Sequence, residues 1–168
     1  MSPAYYGIVG HNPVLATRSV IYQVGDAKQF LDTPAVEQDV RVLLVDDHKL
    51  VRQVLARVFQ AESDIEVVGE GSNGQEALDL TRQLVPDVML ISVRLPVLNG
   101  VDATRAVLAE FPDIHVIGLT LVDNGPESEA IREAGATACV SKSGPLEELI
   151  RVIRDCHPKK GTQIPRRE

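Results

Sequence analysis

The sequence predicts an α/β fold, a doubly wound parallel sheet of five strands with helices on both faces. Three observations lead there. From Val40 onward, apolar runs of strand length alternate five times with segments of helical period, the pattern of parallel strands joined by crossover helices. Most of the runs are short and rich in Val, Ile and Leu, as strands buried on both faces are. Turn and cap residues flank the helical segments, with Asn73-Gly74 and Asn99-Gly100 before two of them and Pro86 and Pro112 after their ends.

In chain order, the first strand is expected over residues 41–45. Leu50, Val51, Val54, Leu55 and Val58 then recur at helical spacing as a core face. A second strand over 65–70 leads to Asn73-Gly74, which opens a helix whose inward set is Ala77, Leu78, Thr81, Leu84 and Val85, with Pro86 after its end. A third strand over 87–91 precedes Asn99-Gly100 and a helix carrying Val101, Thr104, Val107, Leu108 and Phe111, bounded by Pro112. The fourth strand is expected over 114–119. A shorter, more polar helix over 126–134 turns Ala130, Ile131 and Ala134 inward, and Gly135 is placed to end it. A fifth strand over 138–141 and a last helix with Leu146, Leu149, Ile150 and Ile153 complete the domain at 40–157.

Residues 1–39 form an N-terminal extension of unknown structure, with short strand candidates at 5–9 and 20–24 broken up by Gly and Pro. Residues 158–168 form a basic tail. Net charge is −8 in 40–157, with 11 basic against 19 acidic residues, so this domain is not suited to grip phosphate backbones and no direct nucleic-acid binding is expected of it. The chain lacks an uninterrupted apolar run of bilayer length and a basic-apolar leader, which predicts a cytoplasmic protein with no membrane partner. Cys139 and Cys156 show neither disulfide-framework nor zinc spacing. The segment after Cys156 is too short for a helix-turn-helix, so no output domain is expected within this chain.

Ligands of an open α/β sheet bind at the carboxyl ends of its strands. The residues expected there are Asp46-Asp47, Ser92, Thr120 and Lys142. Singly, each has an ordinary use: Asp47 as a helix cap, Thr120 as a strand end, Lys142 as a surface lysine with a packed stem. Together they form a pattern: Val45-Asp46-Asp47-His48, Asn73-Gly74-Gln75-Glu76-Ala77-Leu78, Pro86-Asp87 through Leu90-Ile91-Ser92-Val93-Arg94-Leu95-Pro96, Gly118-Leu119-Thr120, Gly135-Ala136 and Val140-Ser141-Lys142.

In order and spacing this set resembles the response-regulator receiver family of two-component signalling. With His48 after the acidic pair and Lys142-Ser143-Gly144 after the fifth strand, it is most similar to receivers that carry a helix-turn-helix output. The resemblance implies a flavodoxin-like sheet in the order 2-1-3-4-5. It also implies that Asp46 and Asp47, with the backbone carbonyl of Arg94, hold Mg²⁺. An aspartate ending the third strand would accept a phosphoryl group from a histidine kinase, and Thr120 and Lys142 would contact that phosphate.

Ser92 is where the resemblance breaks, because it stands four residues before Pro96 where the acceptor aspartate belongs. A serine hydroxyl needs a base to become a nucleophile, and the nearest histidine, His48, is expected to be turned away by the helix start. Loss of one anionic ligand, worth roughly 4 kcal/mol at about 4 Å before desolvation, should weaken Mg²⁺ binding on the order of tenfold to a thousandfold. Cys139, three residues before the lysine, replaces the aromatic that many receivers use as a switch. The expectation is a non-enzymatic, phosphorylation-independent interaction module. Its partner would be a protein or a second copy, docked on the face of the fourth helix, fifth strand and fifth helix, where Glu127, Glu129, Arg132, Glu133, Glu147, Glu148, Arg151 and Arg154 mix charge signs. The rival expectation is a phosphorelay receiver modified at Ser92 or a neighbour. The site is expected to be open and wet, with Lys142 paired to Asp46 or Asp47 for at most about 1 kcal/mol.

Overall fold

The computed structural model describes residues 39–122 and 125–156. The expected elements at 5–9, 20–24 and 158–168 lie outside them. Ten elements alternate strictly: β1 Val40–Val45, α1 Lys49–Gln60, β2 Ile65–Gly71, α2 Gly74–Leu84, β3 Val88–Ser92, α3 Gly100–Glu110, β4 His115–Thr120, α4 Pro126–Glu133, β5 Ala138–Ser141 and α5 Leu146–Cys156. The sheet is parallel in the order β2-β1-β3-β4-β5. Its order reverses beside β1 and β3, which opens the crevice at their carboxyl ends.

The two-residue period of the strands divides the core into two layers. Val42, Leu44, Val88, Leu90, Ile117 and Leu119 face one side, where Leu55 and Phe59 of α1 and Leu149 and Ile153 of α5 cover them. Leu43, Val45, Met89, Ile91 and Val116 face the other, against Ala77 and Leu78 of α2, Ala103 and Val107 of α3, and Ile131 of α4.

The helix starts and stops follow their cap chemistry. Asn73 accepts from the Glu76 N–H and Asn99 from the Asp102 N–H, each at 2.9 Å. Gly135, at φ +105, ends α4 in the left-handed region, where glycine carries no steric penalty.

Some expectations needed correction. In α1, Leu50 is 71% exposed and Val54 45%, whereas Phe59, absent from the expected face, is fully buried. The face that meets the sheet is rotated toward Leu55 and Phe59, one turn apart, which leaves Leu50 and Val54 on its outer margin. Val85 is the α2 C-cap, exposed at φ 44, and not part of the helix face. Leu146, in the first turn of α5, is exposed. β3 and β4 each run one residue later than expected, so Ser92 and Thr120 are the last residues of their strands and pair in register with Leu119 and Ser141.

Candidate functional site

Asp46 follows β1, Ser92 ends β3, Thr120 ends β4 and Lys142 follows β5, so all four stand on one edge of the sheet. Pairing of Val45 with Ile91 places the first two on adjacent strands, and a backbone hydrogen bond from Lys142 N to Thr120 O, 2.7 Å, fixes the other two side by side.

Lys142 reaches across this edge. Its Nζ forms an ion pair with Asp46 Oδ2 and donates to Ser92 Oγ at 3.0 Å. The Ser92 hydroxyl in turn donates to the backbone carbonyl of Arg94 at 3.1 Å. Asp46 Oδ1 accepts the backbone N–H of His48 at 2.9 Å. The side chains of Asp46 and Lys142 are only 2% and 14% exposed, and Ser92 is buried. The Asp46–Lys142–Ser92 center is thus enclosed, contrary to the open site expected, while Asp47 and His48 beside it remain exposed.

His48 also departs from expectation. It is the α1 N-cap residue, and its Nδ1 lies 2.9 Å from Asp47 Oδ1 and 3.3 Å from Asp46 Oδ1. The extended backbone at the cap position folds the ring back over the acidic pair instead of away from it. Adjacency in Asp46-Asp47-His48 is the signal that could have suggested this. The imidazole remains exposed, and Asp47 is partly so.

Thr120 and Cys139 form a separate contact. The Thr120 hydroxyl donates to Val122 O at 3.0 Å, and Cys139 Sγ lies 3.8 Å from Thr120 Oγ1. Thr120 therefore sits beside the Asp46–Lys142–Ser92 chain with its proton directed elsewhere.

The loop from Val93 to Asn99 frames the other side. Its Arg94 side chain, which sequence reasoning left without a role, pairs with Glu127 in the first turn of α4. Gly100 N donates to Val93 O at 3.0 Å, and a Cβ at Gly100 would lie 2.1 Å from Ser92 O, so only glycine lets α3 begin this close to the end of β3. An open cleft of about 630 Å³ runs along this loop, but of the constellation it touches only Asp47 and Arg94.

Mg²⁺ requires several hard oxygens in near-octahedral array. Here Asp46 Oδ2 holds the ammonium, Asp46 Oδ1 holds the His48 N–H, and the Arg94 carbonyl holds the Ser92 hydroxyl. The residues present do not fit that ion. Asp46, Asp47 and His48 do bring three candidate ligand atoms within 4.8 Å of one another.

The family model of the response regulator receiver domain matches residues 42–154. The chain is 38% identical over 115 residues to the response regulator GacA of Pseudomonas aeruginosa and 37% identical to the transcriptional regulatory protein LiaR of Bacillus subtilis. Each match covers 68% of this chain and 54% of the relative. Among solved structures, the response regulator domain of Thermotoga maritima CheB matches with a TM-score of 0.67 at 27% identity, covering 71% of this chain and 96% of that one. A LuxR-family two-component response regulator from Aurantimonas sp. matches with a TM-score of 0.66 at 30% identity, covering 70% and 84%. The chain belongs to the response-regulator receiver family of two-component signalling. It spans about half the length of the curated relatives it matches.

Proposed function

We propose that this receiver domain acts as a phosphorylation-independent interaction module rather than as a phosphoryl acceptor or an enzyme. The observation that carries the reading is the bonding of Ser92. Its oxygen accepts from the Lys142 ammonium and its proton goes to the Arg94 carbonyl, so no base is placed to remove that proton. An ionised carboxylate at this position would need no base. Ser92, Asp46, Asp47, Arg94, Thr120, Lys142 and Cys139 are then structural members of the pocket.

The domain would work in the cytoplasm through its surface. No helix among the described residues is long and apolar enough to cross a membrane. Docking on the face of α4, β5 and α5 would use Glu129, Arg132, Glu133, Glu147, Glu148 and Arg151, all exposed. Two residues expected there are committed within the chain, Glu127 to Arg94 and Arg154 to Glu62 and Asp64. The partner is a second copy or another signalling protein, a histidine kinase among them.

Intact mass after incubation with Mg²⁺ and a small phosphodonor tests the reading. The expected result is no gain of a phosphoryl group. A gain mapped to Ser92 or a neighbour would establish the phosphorelay reading instead.

A further inference from the structure

The disagreement between this pocket and a Mg²⁺ site has a specific form: each displaced ligand is held by a group of the chain itself. We infer that the Lys142 ammonium is the resident cation of this site, standing in for the divalent ion and making the domain metal-independent. The geometry of three strand ends supports this. The ammonium binds the buried Asp46 carboxylate and the Ser92 oxygen at once, tying the end of β5 to the ends of β1 and β3. Ser92 completes the arrangement by covering the Arg94 carbonyl with its own proton.

Charge leads to the same conclusion. With an aspartate at position 92, two acidic neighbours and one lysine, the cluster would carry a formal −2 and gain strongly from a divalent cation. With Ser92 the formal charge of Asp46, Asp47 and Lys142 is −1. A Mg²⁺ ion entering now would have to expel an ammonium that is already desolvated and already bound to the best-buried carboxylate. Because the lysine is tethered, that competition is intramolecular and does not depend on any ion concentration. The inference concerns the cation alone and does not depend on whether Ser92 accepts phosphate.

Thermal unfolding midpoints measured with and without millimolar Mg²⁺, at matched ionic strength, test it. Anything that binds the folded state alone raises the midpoint. Wild type should show no Mg²⁺-specific shift. Lys142→Met, which keeps the stem and removes the charge, should unfold earlier without Mg²⁺ and recover by a few degrees with it, and adding Asp46→Asn should abolish the recovery. A wild type stabilised by Mg²⁺ as much as Lys142→Met would overturn the inference, and so would a folded Lys142→Met indifferent to Mg²⁺. Should Lys142→Met not fold, amide NMR of the wild type decides: the Asp46, Asp47 and Ser92 signals should not move on Mg²⁺ titration, and saturable shifts there would contradict the assignment. Wild type that binds Mg²⁺ yet gains no phosphoryl mass contradicts only the ammonium assignment. Wild type that gains mass without binding Mg²⁺ contradicts only the proposed function.

Discussion

Lys142 and Ser92 carry most of what distinguishes this pocket. Because Asp46 is buried and its ammonium partner nearly so, removing the lysine strands a carboxylate in a poorly solvated position. Lys142→Ala should therefore lower stability to denaturant by about 3 kcal/mol, well above the value for an exposed pair. A loss below about 1 kcal/mol in urea unfolding would show the pair to be solvated. Ser92→Asp supplies a carboxylate beside Asp46, Asp47 and Lys142, so this variant should gain one phoshoryl mass from a small phosphodonor in a Mg²⁺-dependent reaction, and adding Asp47→Ala should remove the gain. The identities of Asp46, Asp47, Ser92, Thr120 and Lys142 were legible from their order along the chain. Their bonding was not, because it depends on which oxygen a long flexible lysine reaches and on how the His48 ring folds over its cap.

The β3–α3 connection shows how a short loop sets the position of Ser92. Val97 takes φ 67, and Leu98 N bonds back to Pro96 O at 2.8 Å, a tight turn centred on a β-branched residue in the left-handed region. Gly100 lies against the Ser92 carbonyl. Substitutions in the same loop should thus act in opposite directions. Val97→Gly should raise stability by about 1 kcal/mol by relieving the left-handed strain, and Gly100→Ala should lower it by about 2 kcal/mol by pushing α3 off the end of β3. Urea midpoints of the two variants check both signs. The Asn99-Gly100 signal was readable as a helix start, but the strain at Val97 was not, since a single sequence gives no φ. The α1 face was misread for a related reason: periodicity shows which residues are apolar, while packing on the sheet decides which arc turns inward, and it left Leu50 and Val54 exposed.

Strand number, parallel direction and the edge that gathers the site all followed from alternation of short apolar runs with helical segments, because crossover connections leave few arrangements open. The order β2-β1-β3-β4-β5 came through resemblance to receivers. The core also closes over the end of α5, where burial, with the charge of Asp155 adding, pushes the Cys156 thiol up. The folded state therefore holds that proton more tightly than the unfolded chain. This stabilisation is fully present below the ordinary thiol range and is lost as pH rises through the folded value. Alkaline titration of stability should show the loss, and Cys156→Ala should remove that part of the pH dependence. On the proposed reading, the conformation of this signalling domain does not answer to phosphoryl chemistry. The most direct measurement is the two-dimensional amide NMR spectrum of the wild type before and after addition of Mg²⁺ with a small phosphodonor. Unchanged positions are expected for Ser92, Thr120, Cys139 and Lys142 and for the α4 and α5 amides, whereas a new set of signals spreading from Ser92 to α4 and α5 would contradict phosphorylation-independence.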